Sequence, residues 1–316
     1  MIKNRASHSF GMSRRLMKHA ILGAGAVGGL VGAVLAHEGE DVTLLVRSES
    51  NAPHPTTLSL KTPSDTFKTA VRIETKLSDD TDVLWIAVKA YQLAEALPAV
   101  PPESKIGTII PLLNGIDHVD FLRARFGHDR VVPATIAVEA ERIAPGQIVQ
   151  RSPFVRLALS MIGQQRLATV ADRFRHNGFT CEFQADEKTM LWSKLAFLGP
   201  FALTGTASDK DKQGIFADAA WRARLESAVG EACAVAAADG AAVVREKIVA
   251  TLATLPGTMR SSMQKDVSSG CVPELDAIGG PILRAGQRYG LDVPVTRELV
   301  ARIQERLNTR HIASAS

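Results

Sequence analysis

Lys194 is the only charge in the apolar run MLWSKLAFLGPFALTGT, residues 190–206. Leu191 lies three residues before it, and Leu195 and Leu198 lie one and four after it. On a helix this spacing puts the ammonium on the side of the leucines. Two kinds of chemistry suit such a cation. Its stem can cover apolar surface while the amine reaches water. Alternatively, the amine can line a cleft where partial desolvation loosens its proton and makes it a general acid.

A second constellation is Gly23-Ala24-Gly25-Ala26-Val27-Gly28. It follows the apolar stretch Ala20 to Leu22 and precedes a small-residue segment and then DVTLLVR, ending at Arg47. Strand, GxGxxG, helix and strand in one short unit form a dinucleotide-binding fingerprint. Gly23 would permit the tight turn, Gly25 would let the backbone approach a pyrophosphate, and Gly28, aided by Gly29 and Gly32, would let helix and strand pack closely. The helix N-terminus would then offer free N–H groups to the phosphates. An acid at the tip of the second strand suits NAD, whereas an arginine there matches a 2′-phosphate, so Arg47 points to NADP(H). Ser48 is a candidate helper, while nearby Glu49 argues the other way. Lys89 and Asn114 end the apolar runs DVLWIAVKA and KIGTIIPLLNG. Strand carboxyl ends face the ligand in a doubly wound sheet, so both residues are candidate cofactor contacts. Read alone, Lys89 fits a solvated loop and Asn114-Gly115 a turn equally well.

The elements that must position these groups follow from periodicity. Residues 59–77 alternate like short strands around a polar turn, and further strands are predicted at 130–138, 146–152 and 155–160. LATVADRFRHNG has helical spacing with a glycine stop, and FTCEF reads as a last strand. After residue 186 the pattern turns helical, with segments ending at Gly240 and Gly290 and a final helix over 295–307. The expected fold is an α/β Rossmann-type dinucleotide-binding domain over 19–185, then an all-helical substrate domain over 186–316, with the cleft between them. Gly199-Pro200 should bend or end the helix carrying Lys194.

Composition narrows the partners. The 316 residues are 46% hydrophobic and 22% charged, a globular balance with a sizeable core. The net charge of +4 comes from the start of the chain: setting aside Lys3, Arg5, Arg14, Arg15 and Lys18 leaves 32 basic against 33 acidic residues. No clustered basic surface for nucleic acid is therefore expected. Residues 1–18 are basic and free of acid, which fits a targeting segment, a disordered extension or an early start. Cys181, Cys233 and Cys271 form neither a metal pair nor a disulfide framework, which points to a reducing cytoplasm. The uncharged run Ala20–Ala36 is 17 residues, short for a membrane span. Alanine-rich stretches in the second half suit either a homodimer surface or a core.

GAGAVGG, VLWIAVKAYQ, LLNGID, PGQIV, WSKLAF, RSSMQKDVSSGCVPELDAIGG and YGLDVP occur in an order and spacing that resemble the ketopantoate reductase family (2-dehydropantoate 2-reductases) from His19 to about Leu307. The resemblance implies NADPH-dependent reduction of a 2-oxo acid, as in pantothenate biosynthesis. It makes Lys194 the proton donor, residues 23–28 the phosphate loop, Arg47 and Lys89 cofactor contacts, and Asn114 a nicotinamide-side residue that also meets substrate. It further implies that Ser262 binds the substrate carboxylate and that Glu274 is a catalytic cleft glutamate. On their own residues, Ser261-Ser262 reads equally as a helix cap and Glu274 as a first-turn acid. The family places substrate-binding asparagines four and eight residues after the lysine, and another five after the glutamate. Here those positions hold Leu198, Ala202 and Gly279. Losing such amides favours a less polar 2-oxo acid than ketopantoate, unless Thr204 or Thr206 compensates. Two rival readings are another two-domain dehydrogenase acting on a different alcohol and a non-catalytic NADP-binding regulator.

Overall fold

Apolar runs of the first half become strands, and the small residues after the first run become a helix that can be approached from both sides. The computed structural model describes residues 16–47 and 54–315, with side chains through 309. In chain order the first half holds β1 (Lys18–Leu22), α1 (Ala26–His37), β2 (Asp41–Leu45), β3 (Thr57–Lys61), β4 (Thr66–Ala70), β5 (Arg72–Glu74), β6 (Thr81–Ile86), α2 (Leu93–Ala96) and β7 (Ile106–Pro111). It continues with α3 (His118–Phe126), β8 (Ala134–Ala137), β9 (Ala140–Ala144), β10 (Gln147–Gln150), β11 (Val155–Ser160), α4 (Gln164–His176) and β12 (Phe179–Gln184).

Five parallel strands form a sheet in the order β5-β2-β1-β6-β7. Because β2 and β6 flank β1 on opposite sides, a crevice opens at the carboxyl ends of these strands. The glycine turn leaves β1 at that crevice. A four-stranded sheet, β4-β3-β10-β9, packs on α1, and a three-stranded one, β12-β11-β8, completes the half. A Cβ at Gly32 would meet Leu44 of β2 at 3.2 Å and Leu58 of β3 at 3.5 Å, which is why a small-residue helix fits between the two sheets.

The second half is α5 (Glu187–Ser208), α6 (Lys212–Ala217), α7 (Ala219–Ala238), α8 (Arg245–Thr254), α9 (Ser262–Ser268), α10 (Leu275–Tyr289) and α11 (Pro294–Ala315). The chain is thus an α/β Rossmann-type domain followed by a helical one, as its periodicity predicts. Asp186 caps α5 by accepting from the Thr189 N–H at 3.0 Å. Ala228, Ala232 and Ala236 of α7 are buried in the chain's own core, so these alanines serve internal packing.

Two expectations need correction. The helix does not stop at Gly199-Pro200: α5 runs through Pro200 to Ser208, held by the buried side chains of Leu195, Phe201 and Leu203, which offset one lost backbone bond. The predicted extension over 1–18 overlaps β1, because the Met17 N–H is bonded to Glu40 at 2.8 Å and the Lys18 N–H to Asp82 at 2.9 Å. Residues 1–15, and Ser48 and Glu49 beside Arg47, lie outside the described residues. Strand β9, AERIA, has no counterpart in the sequence reading, since its charges mask a short alternation.

The halves meet at specific points. Arg123 of α3 donates to both carboxylate oxygens of Glu187 at 2.7 and 2.9 Å, anchoring the start of α5. Gly115 has φ +80°, and a Cβ there would lie 2.3 Å from the Ala277 carbonyl oxygen of α10. Gly39 shares a positive φ, +82°, with nothing within 4 Å of such a Cβ. Gly39→Ala should therefore cost about 1 to 2 kcal/mol of backbone strain. Gly115→Ala should cost a further ~1 to 3 kcal/mol through the interdomain clash, a difference that denaturant unfolding will show.

Candidate active site

Between the halves lies a cleft of about 2210 Å³, lined by the glycine turn, Arg47, Lys89, Asn114, Lys194, Ser262 and Glu274. The topology therefore brings the sequence-predicted site residues to one cavity, except Gly28, which is buried behind the turn. Each arrives from a different element, and the local structure separates the readings that the sequence left open.

Gly23 has φ +105°, a conformation L side chains rarely adopt, and a Cβ at Gly28 would be 2.0 Å from the Gly23 carbonyl oxygen. At Gly25 a Cβ would meet nothing within 4 Å. The turn is thus tight on its protein side and open on its cleft side, the shape a backbone needs to receive a pyrophosphate. These residues fit a dinucleotide.

Glu274 precedes α10, but its carboxylate does not cap that helix. It points across the cleft, accepting from the Ala90 N–H at 2.9 Å and the Asn114 amide at 3.0 Å, with Lys89 Nζ at 3.4 Å. Only 5% of its residue surface is exposed, so these donors replace water around the charge. Lys89 also donates to Asp266 of α9 at 2.8 Å. Burial alone would lower its pKa, but the Asp266 hydrogen bond and the charges of Glu274 and Asp266 outweigh it and raise the value. Asp266 was not legible in the sequence, because nothing in QKDVS distinguishes it from a surface acid.

Lys194 projects from α5, is partly buried and lines the cavity. Burial brings its pKa down to about 8, opposed in part by the negative charge of Glu274. The residue thus holds the position in the interdomain cleft that the general-acid reading requires. Behind it lies a residue that sequence reasoning missed, His118 at the start of α3. It is buried, its Nε2 has no partner among the described residues, and burial followed by the Lys194 charge holds its pKa near 3. Its only signal in the sequence was proximity to Asn114.

Ser261 is the N-cap of α9, accepting from the Gln264 N–H at 3.1 Å. The next residue, Ser262, is exposed on the cleft. Arg260 lines the cleft too, with its guanidinium donating to the Asp209 carbonyl at 2.8 Å.

Of the three departures from the family pattern, only Leu198 lines the cavity. Ala202 is fully buried in the helical core, and a Cβ at Gly279 would meet Val300 at 2.7 Å, so that position belongs to helix packing. Thr204 and Thr206 do not compensate: they are buried at 0% and 2% exposure, their hydroxyls lack partners among the described residues, and neither lines the cleft.

Comparison with known proteins agrees with this geometry. Residues 19–162 match the family model described as ketopantoate reductase PanE/ApbA, and residues 186–306 match its C-terminal model. The chain belongs to the ketopantoate reductase family. It is 28% identical over 298 residues to the uncharacterized oxidoreductase YkpB of Bacillus subtilis, covering 91% of this chain and 98% of that one. It is 29% identical over 296 residues to the 2-dehydropantoate 2-reductase of Caulobacter vibrioides, covering 89% and 96%. A D-mandelate dehydrogenase solved with NADH and anilino(oxo)acetate shares the fold at a TM-score of 0.81 and 21% identity, covering 93% and 99%. Family membership makes this chain an oxidoreductase. Among the described residues, no helix is long and apolar enough to cross a membrane, and no group of His, Cys, Asp and Glu could hold a metal ion.

The buried histidines give a pH dependence. His118 and His19 are held at about 3 and about 4, below the 6.5 of an unfolded histidine. The unfolded chain therefore binds more protons than the folded one below pH 6.5. The stability these neutral rings contribute should be present above that pH and be lost progressively towards pH 3 to 4. His118→Leu should remove part of the loss, read as a smaller drop in unfolding midpoint between pH 7 and 5.

Proposed function

We propose that this chain reduces a 2-oxo acid to the 2-hydroxy acid with NADPH, using Lys194 as proton donor. The observation that carries the reading is an ammonium with a pKa near 8 opening onto the same cleft as a glycine turn shaped for a dinucleotide. A bound reduced nicotinamide supplies hydride to the carbonyl carbon. The protein's own groups do the rest. Lys194 donates a hydrogen bond to the carbonyl oxygen, stabilises its developing charge and transfers a proton to it. Ser262 bonds the substrate carboxylate. Asn114, its amide held by Glu274, borders the place where nicotinamide and substrate meet. Glu274 acts by keeping Lys194 protonated near neutral pH and by orienting Asn114. Arg47 and Lys89 line the cofactor side, and Arg47 is the 2′-phosphate contact.

The cleft wall beyond Lys194 supports a substrate with an apolar side chain. Phe197, Leu198 and Phe201 follow the lysine on α5, and Ile248, Leu255 and Met259 come from α8 and the loop after it. The hydroxyls of Thr251 and Thr254 on this wall donate to backbone carbonyls, at 2.7 and 2.8 Å, so they remain only as acceptors. A substrate hydroxyl left unpaired against the apolar part of the wall would cost about 1 to 3 kcal/mol. The D-mandelate dehydrogenase neighbour, solved with an aryl oxo acid, is consistent with this class of substrate.

Lys194→Ala should lower kcat by about 10²- to 10⁴-fold, the usual contribution of a positioned acid, while leaving NADPH affinity largely unchanged. Loss of both together would mark a structural lysine. In the wild type, reduction should slow as pH rises through about 8, because the neutral amine has no proton to give; a profile flat to pH 10 would exclude this role. In an NADPH-coupled absorbance panel, branched or aryl 2-oxo acids should outperform ketopantoate. Leu198→Asn should shift kcat/KM towards ketopantoate, and a wild-type preference for ketopantoate would contradict the apolar reading.

A further inference from the structure

We infer that Arg142 is a second specificity residue for the cofactor, pairing with Arg47 around the 2′-phosphate of NADPH; this rests on the cofactor reading above. The inference begins with register. In the β9–β10 ladder Arg142 stands directly opposite Ile148, so the two side chains share one face of the ribbon. Ile148 is 2% exposed and packs where a Cβ on Gly29 would come within 2.7 Å, which seats that face on the first turns of α1. The guanidinium is thereby held over the glycine turn, where its Nη1 donates to the Ala24 carbonyl at 3.4 Å.

One long contact to a carbonyl leaves most of the guanidinium's donors unused. The N-terminus of α1 already carries positive potential from its free N–H groups, and a cation beside it is repelled. The first turn of α1 has no acidic residue, and Gly25 offers no capping side chain, so the helix itself supplies no counter-charge. An incoming anion resolves the repulsion. Its identity follows from what surrounds the guanidinium: Arg142, Ala24, Val46 and His54 line one recess between the glycine turn and the tip of β2. Arg47 is the next residue after Val46, and both arginines also line the main cleft. In a doubly wound fold, the tip of the second strand receives the adenosine ribose. Two arginines lining the cleft near this tip match a phosphate on its 2′-hydroxyl, because planar forked donors bind phosphate oxygens in pairs.

The test is equilibrium binding of NADPH and of NADH to the full-length chain, followed by nucleotide fluorescence, for wild type, Arg142→Ala and Arg142→Lys. Arg142→Ala should weaken NADPH by about tenfold or more, the scale of one charge-assisted contact, and NADH by less than ~3-fold. Its NADPH affinity should also depend less steeply on salt, and Arg142→Lys should recover part of the loss. Arg142 is exposed, so its thermal midpoint serves as the folding control. Unchanged NADPH affinity, or equal weakening of both nucleotides, overturns the assignment alone. Wild-type protein that binds NADH but not NADPH overturns the cofactor reading and the assignment with it.

Discussion

The Glu274 carboxylate is the point at which the two halves of this chain depend on each other. It is nearly fully buried, and the groups that satisfy it belong to the other half: the Ala90 N–H, the Asn114 amide and the Lys89 ammonium. A buried carboxylate without donors is costly, so the contact fixes where α10 lies against the ends of β6 and β7. The same charge faces Lys194 and limits how far burial lowers its pKa. One residue thereby sets both the geometry and the electrostatics of the cleft.

This arrangement explains why a cation occurs within an apolar helix. In the proposed reaction Lys194 needs enough desolvation to release a proton near physiological pH and enough opposing charge to hold one beforehand. The leucine-rich run supplies the first condition and Glu274 the second. Beyond the lysine, the α5 wall stays apolar through Phe197, Leu198 and Phe201. On the proposed reading, chemistry and selectivity lie on successive turns of one helix.

The fold was largely legible. Apolar runs ending in polar residues marked β1, β2, β6 and β7, and the glycine spacing fixed the turn between the first strand and α1. The candidate residues were legible too, though their partners were not. Whether Ser261 or Ser262 caps α9, and whether Glu274 caps α10, depends on which way a side chain turns once distant segments meet. His118 and Asp266 escaped notice because their surroundings are assembled from residues far away in sequence. That α5 continues through Pro200 was not legible for a related reason: local propensity favours a bend or an end, and tertiary packing on both sides of the helix keeps it from ending there.

The central claim is that the folded chain holds Lys194 as a weakly basic amine, and a direct titration measures this. Lysine labelled with ¹³C at Cε can be followed by NMR from pH 6 to 11, with the Lys194 signal assigned by its absence in Lys194→Arg. A midpoint near 8, separate from the other lysines, is the predicted result. A midpoint near 10.5, together with the exposed lysines, would contradict it.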